Sequence, residues 1–496
     1  MTAEKDPAEE HRRWGRLAAI IVQSANAVMI SLGVHAGVLF LISFIPVSLQ
    51  KTHPKTVMVI QQYDDFLKEL ELPEISLFKP SDALVEVAGT SQEDVAEKLT
   101  EEVQIAAALP EVEVADQADL SVLEGLAAGL DSADGAPPAI LALSENPKLA
   151  SSSLPYGYRA RHSGTSRASA LKKHGGTGTM ASVERSLQWL AHHQESNGSW
   201  NAKKYEGAEE HLVATTAAAL LAFLGAGYNE QIKPYKSTVR RGLQFLNEQV
   251  AAQTPPHFGN NYGSALALMA LAESSIFGSS SATTHNANKI AQMFLDQHKG
   301  EGWIYDGGGF DFSVSGWVAL GLKSAQAADL EAMRSKRAFE VFDQYKKWVR
   351  TMSSEETGVA RYRPGKNESA HMTWVGMFQR QFLGFPKNDA FLTKAADNSL
   401  KWIEDKTWIG GEKPGDVYGI YYGTLAAFQH QGVFWKTWNS RMKKTLLDSQ
   451  IKGDPRRLGG SWDLTEGNVG KQGGRVMTTA LMSLCLEVYY RYELMN

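Results

Sequence analysis

The chain has 496 residues, 43% hydrophobic and 21% charged, with a net charge of −5 and one cysteine, Cys485. That length holds two or three domains with a sizeable core. A single cysteine excludes an intrachain disulfide and a cysteine-built zinc cluster, and the lack of a long basic face speaks against a nucleic-acid partner.

Residues 1–16 read as a cytoplasmic tail that ends on Arg12, Arg13 and Arg16. From Leu17 to Leu49 the one ionisable side chain is His35, and the densest part, Val28 to Leu49, has 22 residues. A helix rising ~1.5 Å per residue crosses a bilayer over such a length. The arginines on its N-terminal side place that end in the cytoplasm and everything after residue 49 outside. The stretch is too long for the apolar core of a secretory leader, and no small-x-small site follows before Gln50-Lys51-Thr52. The expectation for residues 17–49 is therefore an uncleaved single-pass anchor in contact with membrane lipid. Within it, Ser31 and His35 are four apart and share a helix face. An ionisable group at that depth faces a partner or a water path, unless it is a neutral histidine bonded within its own helix.

Residues 50–154 lack sustained helical periodicity. Between Ser81 and Ala150 there are 15 Asp and Glu against 2 Lys and Arg, a balance that favours an extended, solvated linker. Composition then reverses, with 5 basic residues and no acid from Ser151 to Thr179. The aromatic-basic stretch from Leu154 to Arg159 opens a segment expected to strap across the first helices of the C-terminal region, or to contact anionic lipid.

Residues 155–496 carry one phrase six times: an amphipathic helix ending near a Gln, a Gly-rich loop with an aromatic residue, then a helix rich in small residues. The first helices are placed near 183–194, 239–249, 287–297, 339–352, 395–405 and 441–450. The second lie near 214–225, 263–274, 315–326, 371–384, 422–431 and 476–489. Trp200 and Trp303 are 103 residues apart, and Trp303 and Trp462 are 159 apart, so the period is roughly 50 residues, the mark of stacked units. Alternating β-branched runs are scarce, so the class is all-α. Small-residue helices suit an inner ring of close-packed helices inside an outer one.

The clearest copy, Arg185 to Gln194 followed by Gly198-Ser199-Trp200, resembles the QW repeat of squalene–hopene cyclases. Gln297 with Gly302-Trp303 and Gln450 with Gly460-Ser461-Trp462 repeat it, and the other three units are degenerate. The resemblance covers about residues 180–496 and implies an (α/α)6 toroid of six helical hairpins. In it Gln194, Gln297 and Gln450 would cap helix ends or bind loop backbone, with Trp200, Trp303 and Trp462 packed over them. Among such proteins the chain looks most like membrane-anchored bacterial members of the prenyltransferase/squalene oxidase repeat group, which implies an inner-membrane protein with a periplasmic toroid. Ser31-x-x-x-His35 in turn resembles the anchor of TonB-type energy transducers and implies a proton-driven membrane motor as partner; the Pro-rich spacer of that family is missing.

The related chemistry does not carry over. Class II cyclases protonate an alkene from an Asp-x-Asp-Asp stretch, and the matching run here is Asp311-Phe312-Ser313-Val314, where Ser313 stands in place of the acid. The Asp, Cys and His zinc ligands of protein prenyltransferases are also missing, as is Cys-Gly-Glu-Gln of thioester domains. The sequence thus calls for no metal and no cofactor, and leans away from an enzyme.

What remains is the mouth where the second helices begin. Tyr305, Asp306, Trp317, Arg361, Tyr362, Trp374, Asp416, Tyr418, Tyr421 and Arg475 are candidates to line a ligand there, with Asp311, His371 and Asp463 as candidate catalytic groups. Aromatic faces mixed with carboxylates and arginine suit a glycan, a peptide or an envelope protein, and two carboxylates can hydrolyse glycosides. A polyprenyl lipid is the other ligand class considered. Asp in Gly-rich loops also caps helices, which is the bland account of each of these acids.

Overall fold

The computed structural model describes residues 158, 160–161, 164–258, 261–304, 310–365, 368–404, 406 and 408–495. The anchor expected at residues 17–49 with Ser31 and His35, the linker at 50–154, and Tyr305 and Asp306 lie outside them. Among the described residues no helix is long and apolar enough to cross a membrane.

Two kinds of helix alternate along the chain. The first kind is amphipathic: α2 (Met180–His192), α4 (Lys236–Ala252), α6 (Ser281–Gln297), α8 (Lys336–Met352), α10 (Ala390–Glu404) and α12 (Gly432–Ser449). In α8, Val341, Tyr345, Trp348, Val349 and Met352 are buried, while Lys336 and Lys347 stand in solvent beside Glu340 and Asp343. That is an apolar stripe facing inward. The second kind is buried nearly all round: α3 (Leu212–Gly225), α5 (Asn261–Ile276), α7 (Phe312–Ala327), α9 (Ala370–Phe382), α11 (Val417–His430) and α13 (Asn468–Arg491), the last only beyond its exposed start and a break at Gly474. Every residue of α3 from Thr215 to Gly225 is buried.

The buried helices pack on one another in chain order, and α13 returns to pack on α3, so they close a ring. Small residues allow the approach. At Gly321 of α7 a Cβ would lie 3.0 Å from the Ala265 carbonyl of α5. The amphipathic helices lie against this ring, and each contacts a helix of the buried set. Helices begin one to nine residues before the positions expected from periodicity, and the early start of α13 is a short stretch set off by Gly474, whose φ of +63° is not helical.

The repeated Trp does mechanical work at three loops, and the repeated Gln at two of them. The Trp200, Trp303 and Trp462 indoles donate to the carbonyls of Leu190 (2.7 Å), Phe294 (3.0 Å) and Leu446 (2.9 Å). Their backbone amides donate to Thr216, Ser315 and Thr479 on the following buried helix. Gln194 donates to the carbonyls of Gly198 and Thr238. Gln450 donates to Gly460 and, across the ring closure, to Ser182 at 2.8 Å. No such hydrogen bond is found for Gln297, near which Arg337 instead bonds the Leu295 and His298 carbonyls.

A further helix, α1 (Gly164–His174), precedes the ring and packs on α13. Its segment is pinned by two buried arginines. Arg161 meets Glu273 of α5 at 2.6 Å and donates to the Arg491 carbonyl at 3.1 Å. Arg167 donates to Ala226 just after α3 at 2.7 Å and lies over the Tyr490 ring. Glu273 also receives Arg491 at 2.9 Å. Beside them Glu487 sits 3.8 Å from Arg491. Gly225 is required opposite this pair, since a Cβ there would stand 2.0 Å from Glu487 Oε2 and 2.1 Å from Arg491 Nη1. Cys485 is buried, and burial pushes its thiol up to about 12, so it is an inert core group.

Candidate functional site

Four of the candidate residues meet where α7, α9 and α11 begin. Asp311 is the N-cap of α7: its Oδ1 accepts from the amides of Ser313 (2.9 Å) and Val314 (3.2 Å). Capping uses one carboxylate oxygen and satisfies first-turn donors. The other, Oδ2, is left for Arg363 at 3.5 Å. Asp416 repeats the arrangement on α11, with Oδ1 accepting from Tyr418 N at 3.0 Å. Its Oδ2 lies 2.8 Å from His371 Nε2 in the first turn of α9. That nitrogen has no hydrogen-bond partner in line, so the pair is at contact distance but off axis.

His371 is held from three sides. Ser369, the N-cap of α9, places its Oγ 3.4 Å from His371 Nδ1. The Trp408 ring meets the imidazole edge-on at 4.3 Å between centroids. Gly419 makes the room, because a Cβ there would lie 2.6 Å from Trp408 and 2.7 Å from His371 Cδ2. Gly467, at φ +94°, does the same for Asp416: a Cβ would stand 2.4 Å from its Cγ. Thr465 anchors the same loop by accepting from Val417 N at 3.0 Å.

A two-stranded hairpin, β1 (Ala360–Arg361) and β2 (Glu368–Ser369), carries Tyr362 to this cluster. The Tyr362 phenol is pushed up, first by burial and then by the negative charges of Asp416 and Asp311; the Ser369 hydroxyl pulls it back. One phenol thus feels both carboxylates. Tyr362 remains 37% exposed, so the cluster is open to solvent through it.

Other candidates lie elsewhere. Trp374 is core, not rim: it is wholly buried, packs on Trp402, Trp408 and Trp438, and bonds Ser399 at 3.0 Å. Trp317 and Tyr421 stack in the ring interior, centroids 5.3 Å apart and planes 9° apart, and are almost wholly buried. Tyr418 is buried beneath the rim, where Ser313 donates to its hydroxyl at 2.7 Å and also contacts Tyr262. Ser313 thus spends its hydroxyl on two phenols at the place of the missing acid. Arg475 is buried and clasped by Asp463 (2.9 Å) and Glu206 (2.7 Å); its guanidinium also binds the Trp462 carbonyl. Both residues tie loops together. Arg361 pairs with Glu368 across the hairpin at 3.1 Å.

Ser369, Arg363 and Trp408 join the site without having been singled out in sequence. Ser369 had a signal, a Ser two residues before a His at a helix start; the other two are brought in by the tertiary fold alone. Among the described residues no group of three metal-ligating side chains converges.

No family model matches this chain, and no curated protein matches it. Solved structures do show likeness. An inactive variant of the α-1,6-mannanase GH76A of Salegentibacter sp. HEL1_6, in complex with α-1,6-mannotriose, aligns over 61% of this chain and 98% of its own at 12% identity and a TM-score of 0.45. A variant of the type II terpene cyclase MstE from Scytonema, with geranylgeranyl dihydroxybenzoate, aligns over 65% and 99% at 12% identity and 0.42. An α-amylase from Clostridium perfringens aligns over 62% and 97% at 12% identity and 0.40. Likeness this distant leaves each site to be read from its own residues.

Proposed function

We propose that this chain is a membrane-anchored (α/α)6 toroid of six hairpins, held outside the cytoplasm, whose rim binds a hydroxyl-rich ligand of the glycan class. The observation that supports this reading is the meeting of Asp311, Asp416, His371 and Tyr362 at three converging helix starts, partly open to solvent. Carboxylates and an imidazole accept and donate hydrogen bonds to sugar hydroxyls, and a tyrosine face stacks on a sugar ring. A polyprenyl chain fits less well. It needs an apolar cavity, and Trp317, Tyr418, Tyr421, Tyr422 and Phe378 are each at most 3% exposed inside the ring. The proton donor of alkene cyclisation is replaced by the fully engaged Ser313.

Catalysis on the glycan is the second reading, and the carboxylate pair sensed by Tyr362 favours it, since glycoside hydrolysis uses two such groups. Calorimetry and a glycan array on the gently extracted full-length protein test binding. Tyr362→Ala and Asp416→Asn are expected to weaken an oligosaccharide about tenfold or more each, the cost of roughly one good polar or stacking contact. Co-purification of a polyprenyl lipid, with no oligosaccharide bound by the wild type, would end the glycan reading. Turnover lost in Asp311→Asn with binding retained would move the protein to the enzymes.

A further inference from the structure

Ser369, His371 and Asp416 stand in a row of contacts at the rim, and their order suggests more than the binding of a ligand. Ser369 Oγ is 3.4 Å from His371 Nδ1, and His371 Nε2 lies 2.8 Å from Asp416 Oδ2, a charge contact off the hydrogen-bond axis. A hydroxyl, an imidazole and a carboxylate in that order are the parts of an activated nucleophile, recognised by geometry and role and not by position in the chain. Contacts of this kind are often loose before a substrate seats. Both side chains next to Ser369 in this set are partly accessible, with His371 23% exposed and Asp416 16%. Trp408 and the absent Cβ of Gly419 fix the plane of the ring. Ser369 is also the N-cap of α9: its Oγ accepts from Met372 N at 3.4 Å, and the remaining first-turn amides, without intrahelical acceptors, favour negative charge.

We infer that Ser369 is an acyl-accepting nucleophile, with His371 as its base and Asp416 as the positioning residue that orients the imidazole, and that the rim cleaves a small ester. In the first step Ser369 Oγ bonds to the ester carbonyl carbon while its proton passes to His371 Nδ1. The carbonyl oxygen, negative at that moment, faces the first-turn amides of α9. The carbonyl re-forms, the C–O bond to the alcohol breaks, and the alcohol leaves with the proton from His371. Water, activated by the same imidazole, then attacks the acyl-serine and releases a carboxylic acid and the free hydroxyl. The inference does not depend on the glycan reading; an acylated sugar would serve both, and any accessible ester serves this one.

The test is covalent capture. The full-length protein is treated with a fluorophosphonate, on which Ser369 Oγ forms an O–P bond, fluoride leaves and the proton goes to His371. Peptide mass spectrometry is expected to find the adduct on Ser369. Labelling should vanish in Ser369→Ala and slow about a hundredfold or more in His371→Ala, the span of general-base catalysis. Asp416→Asn should slow it as well, and Asp416→Glu should restore it in part, which a merely structural carboxylate would not do. Thermal melting of each variant accompanies the rates. An adduct on Tyr362 in place of Ser369, or no adduct on a folded wild type, overturns the inference. So does a labelling rate on Ser369 that a folded His371→Ala leaves unchanged.

Discussion

Glu487 is the sharpest place to test the energetics of this fold. Its carboxyl is buried beside α3; burial pushes it up from 4.5 to about 8, against the opposing pull of Arg491 and of the Ser483 hydroxyl, which donates to it at 3.0 Å. Between those two values the folded protein holds a proton that the unfolded chain has released. Stability is then fully present below the unfolded value and falls as pH rises toward 8, at up to ~1.4 kcal/mol per pH unit. From pH 5 to pH 7 the loss from this group is roughly 2–3 kcal/mol. Glu487→Gln keeps the volume and the Ser483 contact and removes the titration. Arg491 keeps Glu273 at 2.9 Å as its partner. Urea unfolding at several pH values should show the variant and the wild type converging near pH 5, and the variant more stable by roughly that amount at pH 7. A variant less stable by the same margin at every pH would refute the reasoning, for it would mean that Glu487 is ionised and paired with Arg491.

Gly419→Ala forces a methyl to within 2.7 Å of both Trp408 and His371; overpacking of this kind costs about 1–3 kcal/mol, and the His371 imidazole NMR signals should shift while those of His298 stay. Gln450→Ala removes a bond to Gly460 in its own loop and one to Ser182 across the ring closure. It should cost about 1–3 kcal/mol, the penalty for stranding buried partners, measured by thermal melting. In the membrane, His35→Ala should abolish co-purification of a proton-motor complex if the Ser31–His35 face docks on one; retention of the partner by the variant would dismiss that contact.

The ring was readable because its cause is compositional. Helices such as Ala214 to Leu224 cannot sit at a surface, and the Gln and Trp at three of the loops announce where a hairpin turns. The rim was half readable. Asp311, Asp416 and His371 lie at helix starts, where position along the chain is also position at the mouth. Trp317 and Tyr421 resemble them in sequence but sit about a turn inside their helices, ~5.4 Å deeper, and became packing; Tyr418 holds the same second helical position as His371 and is set apart by its partners, the Ser313 hydroxyl and the Tyr422 ring. Trp408 and Gly419 belong to the site through space alone, one supplying a wall and the other the absence of a side chain. No local pattern encodes such a pairing.

The segment around Arg161 and Arg167 has a consequence for the order of assembly. It is made before any helix of the ring, yet its seat includes Tyr490 and the Arg491 carbonyl, which are made at the far end of the ring. Glu273 and Ala226 are made earlier, but until α13 exists Arg161 lacks the Arg491 carbonyl and Arg167 lacks the Tyr490 ring. A chain interrupted before α13 leaves Glu273 facing a gap that neither Arg161 nor Arg491 closes in the native way. The clasp therefore registers the presence of α13: only a chain that has made it can fully bury the segment leading into α1.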